Sequence, residues 1–130
     1  IFLAETLTDE ARLETVQRNI EFDHRWVVPR EGRGGGLALF WKSSVNLRIE
    51  GSHKYYIDAS IDKNTSNEWR LTGFYGELET ARRCEAWNKL RSLNSSLKIQ
   101  WLCFGDFNEI TKQDEKLGGA TRSRFQMQLF

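Results

Sequence analysis

Several residue types and patterns that define other protein classes are scarce in this sequence of 130 residues. One Pro and ten Gly exclude collagen-like and low-complexity chains, and no apolar run approaches the roughly 18 residues that cross a bilayer. The two His and two Cys do not stand at zinc-ligand spacing, and no secretory signal precedes Cys84 and Cys103. We therefore expect buried, reduced thiols, a reducing compartment and no membrane partner. Lys and Arg number 19 against 18 Asp and Glu, so no global charge attracts nucleic acid.

The sequence does contain enough apolar and aromatic material for one hydrophobic core. Hydrophobic residues make up 39% of it, and five Trp and eight Phe argue against a disordered chain. The length fits one domain, since domains commonly have about 100–150 residues. The chain begins without Met on an apolar run and also ends on apolar residues, so we expect it to be part of a longer domain.

Hydrophobic periodicity predicts a mixed α/β order. The run 1–4 predicts a buried strand ending at Glu5, and residues 9–20 predict a helix capped by Thr8. Alternating segments then predict strands near 45–50 and 54–61, each with one wet face, followed by a strand at 69–75. Short connections between them favour an antiparallel meander.

The second half of the chain predicts two more helices and one more strand. Thr80 is predicted to cap a helix whose buried side carries Cys84, Trp87 and Leu90, and a further helix starts after Arg122. Between them, the apolar run 99–104 predicts a buried strand. The fold class is therefore α/β (α+β), with helices packed on a mostly antiparallel sheet.

Polar side chains follow three of the predicted strands at the point where each strand ends. They are Glu5, Tyr75 and the pair Asp106 and Asn108. Side chains at strand ends are held rigidly but open to a crevice, and this set of oxygen ligands suits Mg²⁺. For any one carboxylate taken alone, capping the turn after its strand is the simpler interpretation. The basic pairs are likewise interpreted singly as solvated surface; they are Arg30/Arg33, Arg82/Arg83 and Arg122/Arg124.

Several segments resemble one family. The segments IFLAET, LTGFYG and WLCFGDFNEI are similar to motifs of the endonuclease/exonuclease/phosphatase superfamily, the fold of deoxyribonuclease I and apurinic endonucleases. More narrowly, GRGGGLALFWK, WRLTGFYGELETARR, WLCFGDFNEI and EKLGGATRSRFQMQLF resemble the endonuclease region of plant LINE-type non-LTR retrotransposons. The resemblance covers nearly the whole chain, in the expected order.

The resemblance implies a layered β-sandwich of the deoxyribonuclease I type, with residues 1–130 forming a partial domain that lacks the first strand and the C-terminal half. It implies a DNA endonuclease that depends on Mg²⁺, with Mn²⁺ as an alternative, and nicks target DNA for retrotransposition. Glu5 would hold the metal, Tyr75 would contact the scissile phosphate, Asp106 would orient or deprotonate the attacking water, and Asn108 would hold the phosphate or that water. DNA would be the partner, and the nucleus the location, after import from the cytoplasm.

The candidate DNA contacts are three basic residues, Arg33, Arg122 and Arg124. Family members also carry a late Asp–His pair, which neither His24 nor His53 matches, so we expect little or no activity from these residues alone.

One further expectation accompanies this prediction, and two alternatives compete with it. A truncated sandwich would expose inner-face residues and self-associate; these residues would be Leu37, Leu39, Ile57 and Trp101. A phosphatase of the same superfamily would share the Glu and Gly-Asp-Phe-Asn motifs. A catalytically dead retrotransposon relic or interaction module would retain the fold without binding metal.

Overall fold

Two β-sheets pack face to face, and each carries a helix on its outer face. The structure is a computed structural model that describes residues 1–32, 34–94 and 99–129. The first sheet contains β1 (Phe2–Ala4), β2 (His24–Val28) and β3 (Leu37–Trp41) in the order β1-β3-β2, all antiparallel. Helix α1 (Glu10–Asn19) covers its outer face.

The second sheet has four strands in chain order. They are β4 (Leu47–His53), β5 (Tyr56–Ile61), β6 (Trp69–Tyr75) and β7 (Gln100–Asp106). The predicted meander is confirmed, because β4, β5 and β6 are antiparallel neighbours. Strand β7 then pairs parallel to β6. The mixed class and the mostly antiparallel sheets are therefore as predicted.

The remaining regular elements are helical. Helix α2 (Arg83–Ser92) lies between β6 and β7, and α3 (Arg124–Leu129) follows β7; 3₁₀ turns occur at Thr80–Arg82 and Gln113–Glu115. None of the helices in the described ranges is long and apolar enough to cross a membrane.

Helix α1 has the predicted apolar stripe but a different cap. Leu13 is 2% exposed and packs with Val16 on Ala38 and Phe40 of β3. The capping residue is Asp9, whose backbone is extended and whose Oδ1 accepts a hydrogen bond from the Arg12 amide at 2.9 Å. The predicted Thr8 cap is wrong by one residue, because Asp9 also has a side-chain oxygen that N-capping requires.

Helix α2 buries a stripe that differs from the predicted one by one residue. The residues facing the sheet are Arg83, Ala86, Trp87 and Leu90, at i, i+3, i+4 and i+7. Cys84 lies about 100° away from this stripe and is exposed, so its predicted burial is wrong. Thr80 does not cap the helix, because the 3₁₀ turn at Thr80–Arg82 begins at this residue.

The core between the sheets is formed by side chains that we expected to be exposed. Leu37, Leu39 and Ile57 are 0%, 4% and 1% exposed, because they face the opposite sheet together with Tyr75. Trp101 is half-buried on the outer face, where its Nε1 donates to Thr72 Oγ1 at 2.8 Å. The predicted apolar inner patch is therefore wrong, and the argument for self-association that rested on it is lost.

The outer face of β5 is also buried, although its alternation predicted a wet face. Asp58 is 2% exposed and accepts two hydrogen bonds from Arg70, at 2.9 and 2.7 Å, and one from Thr72 Oγ1 at 2.6 Å. The Arg70 guanidinium lies over the Trp101 ring, 5.4 Å from its centroid. A buried charge is tolerated when it is paired and hydrogen-bonded in this way, so polar residues here do not indicate solvent.

Candidate active site

The residues predicted to form a site lie at one edge of the sandwich, where β1, β6 and β7 end. In the parallel ladder of β6 and β7, Tyr75 is the partner of Asp106. The next residue, Gly76, donates its backbone N–H to the carbonyl of Asp106 at 2.8 Å. The pairing thus places two predicted site residues side by side, although they are far apart in the sequence.

Tyr75 connects the two sheets at this edge. It is 9% exposed and belongs to the core between them. Burial and a hydrogen bond from the phenol to the Glu5 carboxylate raise the pKa of Tyr75 to about 12, and the charges of Glu5 and Asp106 act in the same direction, whereas the Asn108 side chain opposes them. The four predicted residues therefore come together, and the phenol is neutral at physiological pH.

Asn108 is held by two hydrogen bonds in an unusual backbone conformation. Its φ of 52° lies in the left-handed region, which Asn adopts more readily than most residues. Its backbone N–H donates to Asp106 Oδ1 at 2.9 Å, and its Nδ2 donates to the Gly76 carbonyl at 2.7 Å. One carboxylate oxygen of Asp106 therefore caps the turn, as the simpler interpretation of this residue predicted.

Glu5 lies directly after β1 and is exposed. It too has a left-handed backbone, with a φ of 52°, and the following Thr6 donates its N–H to the Gly36 carbonyl at 3.2 Å. A left-handed non-glycine residue is energetically costly and persists only where its surroundings hold it. Both Glu5 and Asn108 are held in this conformation at the same edge of the sheet.

Two glycines permit the close approach of β6 and β7 at the site. A Cβ at Gly76 would lie 2.0 Å from the carbonyl oxygen of Phe107. A Cβ at Gly105, which has a φ of 138°, would lie 1.9 Å from the carbonyl oxygen of Phe74. Because the obstructing atoms are backbone, only glycine fits at these positions without displacing the strands.

The carboxylates at this edge of the sandwich are the candidate ligands for a metal ion. In the ranges that the structure describes, no three His, Cys, Asp or Glu residues form a group that could enclose a metal. Glu5 and Asp106 are nevertheless both close enough to the Tyr75 phenol to raise its pKa. Mg²⁺ commonly binds proteins through only one or two carboxylates and keeps several waters. The residues present therefore fit Mg²⁺ bound in that open manner.

Two hollows flank the site. One, of about 280 Å³, is lined by Tyr75, Tyr55, Lys54, Arg82 and the glycine loop at 34–36. The other, of about 420 Å³, contains both Asp106 and Asn108 in a lining that also includes basic residues; these are Arg83, Lys116 and Arg122. Leu78 lines both hollows and is 58% exposed.

The sequence analysis did not predict the ion pairs behind Asn108. Arg83 and Glu109 are 3.0 Å apart, with side chains 8% and 1% exposed, and Arg122 Nε lies 3.1 Å from the other Glu109 oxygen. The interpretation of Arg83 as solvated surface is therefore wrong. Only the position of Glu109 directly after the Gly-Asp-Phe-Asn motif could have indicated its importance, because partners 26 residues apart in the sequence leave no local pattern.

The predicted DNA contacts have different environments. Arg122 is paired with Glu109 and also donates to Thr80 Oγ1 at 3.3 Å. Arg124 is exposed at the start of α3. Arg33 lies outside the described residues.

Both histidines are engaged elsewhere in the fold. His24 stacks on Trp41 and lies 3.1 Å from Ser43 Oγ. His53 packs against Tyr55 and Tyr56. In the part of the chain that the structure describes, neither ring contacts Glu5, Tyr75, Asp106 or Asn108.

Taken together, two sheets packed face to face, a helix outside each, and polar residues at the strand ends define a deoxyribonuclease I-like α+β fold. The predicted fold class is confirmed.

Solved structures with this fold include two of Caenorhabditis elegans TDP2, a member of the endonuclease/exonuclease/phosphatase superfamily. Truncated TDP2 matches with a TM-score of 0.52 and 12% identity over 90% of this chain and 51% of that one. Selenomethionine TDP2 matches with a TM-score of 0.51 and 13% identity over 91% and 39%. The chain thus spans about half or less of their length, and at this identity the likeness concerns the fold. No family model and no curated protein sequence matches the chain.

Proposed function

We propose that this chain carries the catalytic centre of a metal-dependent phosphodiesterase that acts on DNA. The observation that supports the proposal most directly is the convergence of Glu5, Asp106 and Asn108 around the buried Tyr75 phenol. The likeness to TDP2, whose full name is tyrosyl-DNA phosphodiesterase 2, supports a DNA substrate. The four retrotransposon-like segments support the narrower assignment to an endonuclease of a plant LINE-type element that nicks target DNA.

In this proposal Glu5 holds a divalent cation, Mg²⁺ or alternatively Mn²⁺. The carboxylate is exposed directly after β1 and faces the Tyr75 hydroxyl, so it can bind an ion from the solvent side. When bound, such an ion polarises the phosphoryl oxygens and stabilises the leaving oxygen.

Tyr75 would act as a hydrogen-bond donor to the scissile phosphate. With a pKa of about 12, the hydroxyl keeps its proton throughout the physiological range. Its position in the core between the sheets fixes the ring, so the hydroxyl would only have to turn from the Glu5 carboxylate, to which it donates in this structure, to the phosphate. A donor held close to developing charge lowers the barrier.

Asp106 and Asn108 would position the attacking water. Asp106 Oδ1 accepts from the Asn108 amide, and the carboxylate is exposed, so its second oxygen can orient or deprotonate a water. The Asn108 Nδ2 donates to the Gly76 carbonyl, which fixes the plane of the amide beside the Tyr75 phenol.

DNA would cross the two hollows with Leu78 between them. Arg122 and Lys116 supply positive charge in the hollow that contains Asp106, and Arg124 follows at the start of α3. Phosphate contacts of this kind position a duplex without reading its sequence. We place the parent protein in the nucleus, after synthesis in the cytoplasm, with its thiols reduced.

We further propose that residues 1–130 form part of a larger domain and nick DNA very slowly by themselves. The site lacks a histidine, since His24 and His53 both pack elsewhere. Groups that act together in catalysis lose most of their effect when one is missing.

Metal binding tests the proposal without requiring turnover. Mn²⁺ is titrated into the ¹⁵N-labelled chain, and we expect paramagnetic broadening confined to amides near Glu5 and Asp106. Glu5→Gln should abolish it, whereas Glu10→Gln, which changes an exposed helical carboxylate, should not. No broadening at this edge, or broadening that survives Glu5→Gln, would favour a catalytically dead relic.

A second assay distinguishes DNA cleavage from phosphatase activity. Nicking of supercoiled plasmid and release of inorganic phosphate from a phosphomonoester are measured together with Mg²⁺ and with Mn²⁺. We expect only trace nicking, lost in Asp106→Asn, and no phosphate release. Phosphate release that is lost in the same variant would instead support the phosphatase of the same superfamily.

A further inference from the structure

A buried carboxylate and two arginines form a cluster beside the candidate site, in which the side chains of Arg83 and Arg122 are 8% and 21% exposed. Glu109, whose side chain is 1% exposed, lies 3.0 Å from Arg83 Nη1 through Oε2 and 3.1 Å from Arg122 Nε through Oε1. Its Oε1 also accepts a hydrogen bond from the Ile110 amide at 3.0 Å. Both carboxylate oxygens are therefore engaged, and the carboxylate follows directly after Asn108.

The cluster joins three segments of the chain that are distant in sequence. Arg83 donates to the backbone carbonyls of Glu77 and Leu78, at 3.0 and 3.1 Å, and so holds the segment that follows β6. Arg122 belongs to the loop before α3, and Glu109 to the loop after β7. All three segments border the hollow that contains Asp106 and Asn108.

Burial of such a cluster is not explained by stability alone. Removing three charges from water costs about as much as their attraction returns, so buried ion pairs contribute little net stability compared with apolar residues of similar volume. What the cluster does provide is directional bonding. A planar guanidinium with several donors fixes the position of a carboxylate and two carbonyls at once.

We infer that Glu109 is a positioning residue that holds Asn108 in its left-handed conformation and sets the distance between Asn108 and the segment at 76–78. The inference rests on the proposed function in one respect: that function says what the positioning of Asn108 is for. Asn108 reaches the Gly76 carbonyl, and Arg83 fixes the two carbonyls that follow. Glu109 ties both sides together, one residue beyond Asn108.

The test compares two carboxylates with matched environments. Glu109→Gln neutralises the partner of Arg83, and Asp58→Asn neutralises the partner of Arg70 on the outer face of the second sheet, where the carboxylate side chain is 3% exposed. Amide hydrogen exchange of ¹⁵N-labelled chains is measured at temperatures that give the two variants equal global stability. The reporters are the backbone and Nδ2 amide signals of Asn108.

We expect Glu109→Gln to accelerate exchange of the Asn108 backbone amide at least tenfold relative to Asp58→Asn, and to shift its Nδ2 signals. Arg83→Met should reproduce the effect, and the double variant should add little to the change at Asn108, since both substitutions break the pair between Arg83 and Glu109. If Glu109→Gln fails to fold, Arg122→Met, which removes the more exposed cation of the cluster, should give a smaller shift of the same signals.

Unchanged Asn108 signals in Glu109→Gln, or equal changes in Asp58→Asn, would overturn the inference, because the cluster would then contribute only to general stability. These measurements need neither metal nor DNA. The Mn²⁺ titration of the unmodified chain decides the proposed function separately, so failure of one does not imply failure of the other.

Discussion

Replacing Gly76 by Ala should both destabilise the fold and disturb the candidate site. The new Cβ would lie 2.0 Å from the Phe107 carbonyl oxygen and 2.5 Å from its carbon, so β6 and β7 would have to separate by roughly an ångström or more. Because these are backbone atoms, no side-chain rotation can relieve the overlap. The same separation would break the hydrogen bonds that Gly76 makes with Asp106 and with Asn108, at 2.8 and 2.7 Å.

The magnitude follows from these two effects. Each lost hydrogen bond costs about 1 kcal/mol, and insertion of a methyl group against rigid neighbours costs about 1–3 kcal/mol. We expect the free energy of unfolding to fall by about 3–5 kcal/mol. For a domain whose total is about 5–15 kcal/mol, this is a large fraction, and Tm should fall by about 10 °C or more.

The assay is urea and thermal unfolding followed by tryptophan fluorescence and circular dichroism. Gly51→Ala is the control, since a Cβ at this glycine of β4 meets nothing within 4 Å; we expect a change within about 0.5 kcal/mol. If Gly76→Ala were as stable as Gly51→Ala, the close approach of β6 and β7 described here would be wrong.

Two further predictions concern titratable groups outside the site. Cys84 is exposed, whereas burial raises the pKa of the half-buried Cys103 to about 11; iodoacetamide at pH 8 should modify Cys84 at least tenfold faster by peptide mass spectrometry, and equal rates would contradict the assigned environments. Burial, with Lys89 and Lys54 nearby, lowers the pKa of His53. The unfolded chain therefore binds its proton more readily, and stability should rise between pH 5.5 and 7.5 as the unfolded-state proton is lost. The free energy of unfolding, measured by urea denaturation at each pH, should rise less in His53→Gln. If it rises equally in that variant, other titratable groups cause the pH dependence.

Local sequence patterns were sufficient to predict the elements and the strand ends. The predicted strand at 69–75 coincides with β6, and the apolar stripe of α1 faces the sheet as expected, because periodicity directly reflects which side chains are buried. The four candidate site residues were selected because each stands at or just after the end of a strand. The convergence of the other three around Tyr75 depends on which strands pair in the fold. Side chains at strand ends commonly meet at a crevice, and this general tendency was enough to group the four residues.

The errors concern features that only tertiary structure determines. Arg83 and Asp58 are charged residues with buried partners, and no local pattern shows whether a charge will find such a partner. Cys84 was misplaced because the stripe of α2 begins one residue earlier, at Arg83, which hydropathy alone would assign to solvent. Leu37 and Ile57 were predicted to be exposed because a truncated sandwich would lack the sheet that covers them. In the structure the two sheets of this chain cover each other and bury both side chains.

The parallel pairing of β6 with β7 has a consequence for how such a site can evolve. Tyr75 and Asp106 are juxtaposed by ladder register, and the polypeptide that connects their strands does not enter that geometry. Residues could be gained or lost in this connection at a modest entropic cost without moving the two side chains relative to each other. A single insertion within either strand, in contrast, would turn Tyr75 or Asp106 to the opposite face. Tolerance to length changes should therefore be high between these strands and almost absent within them.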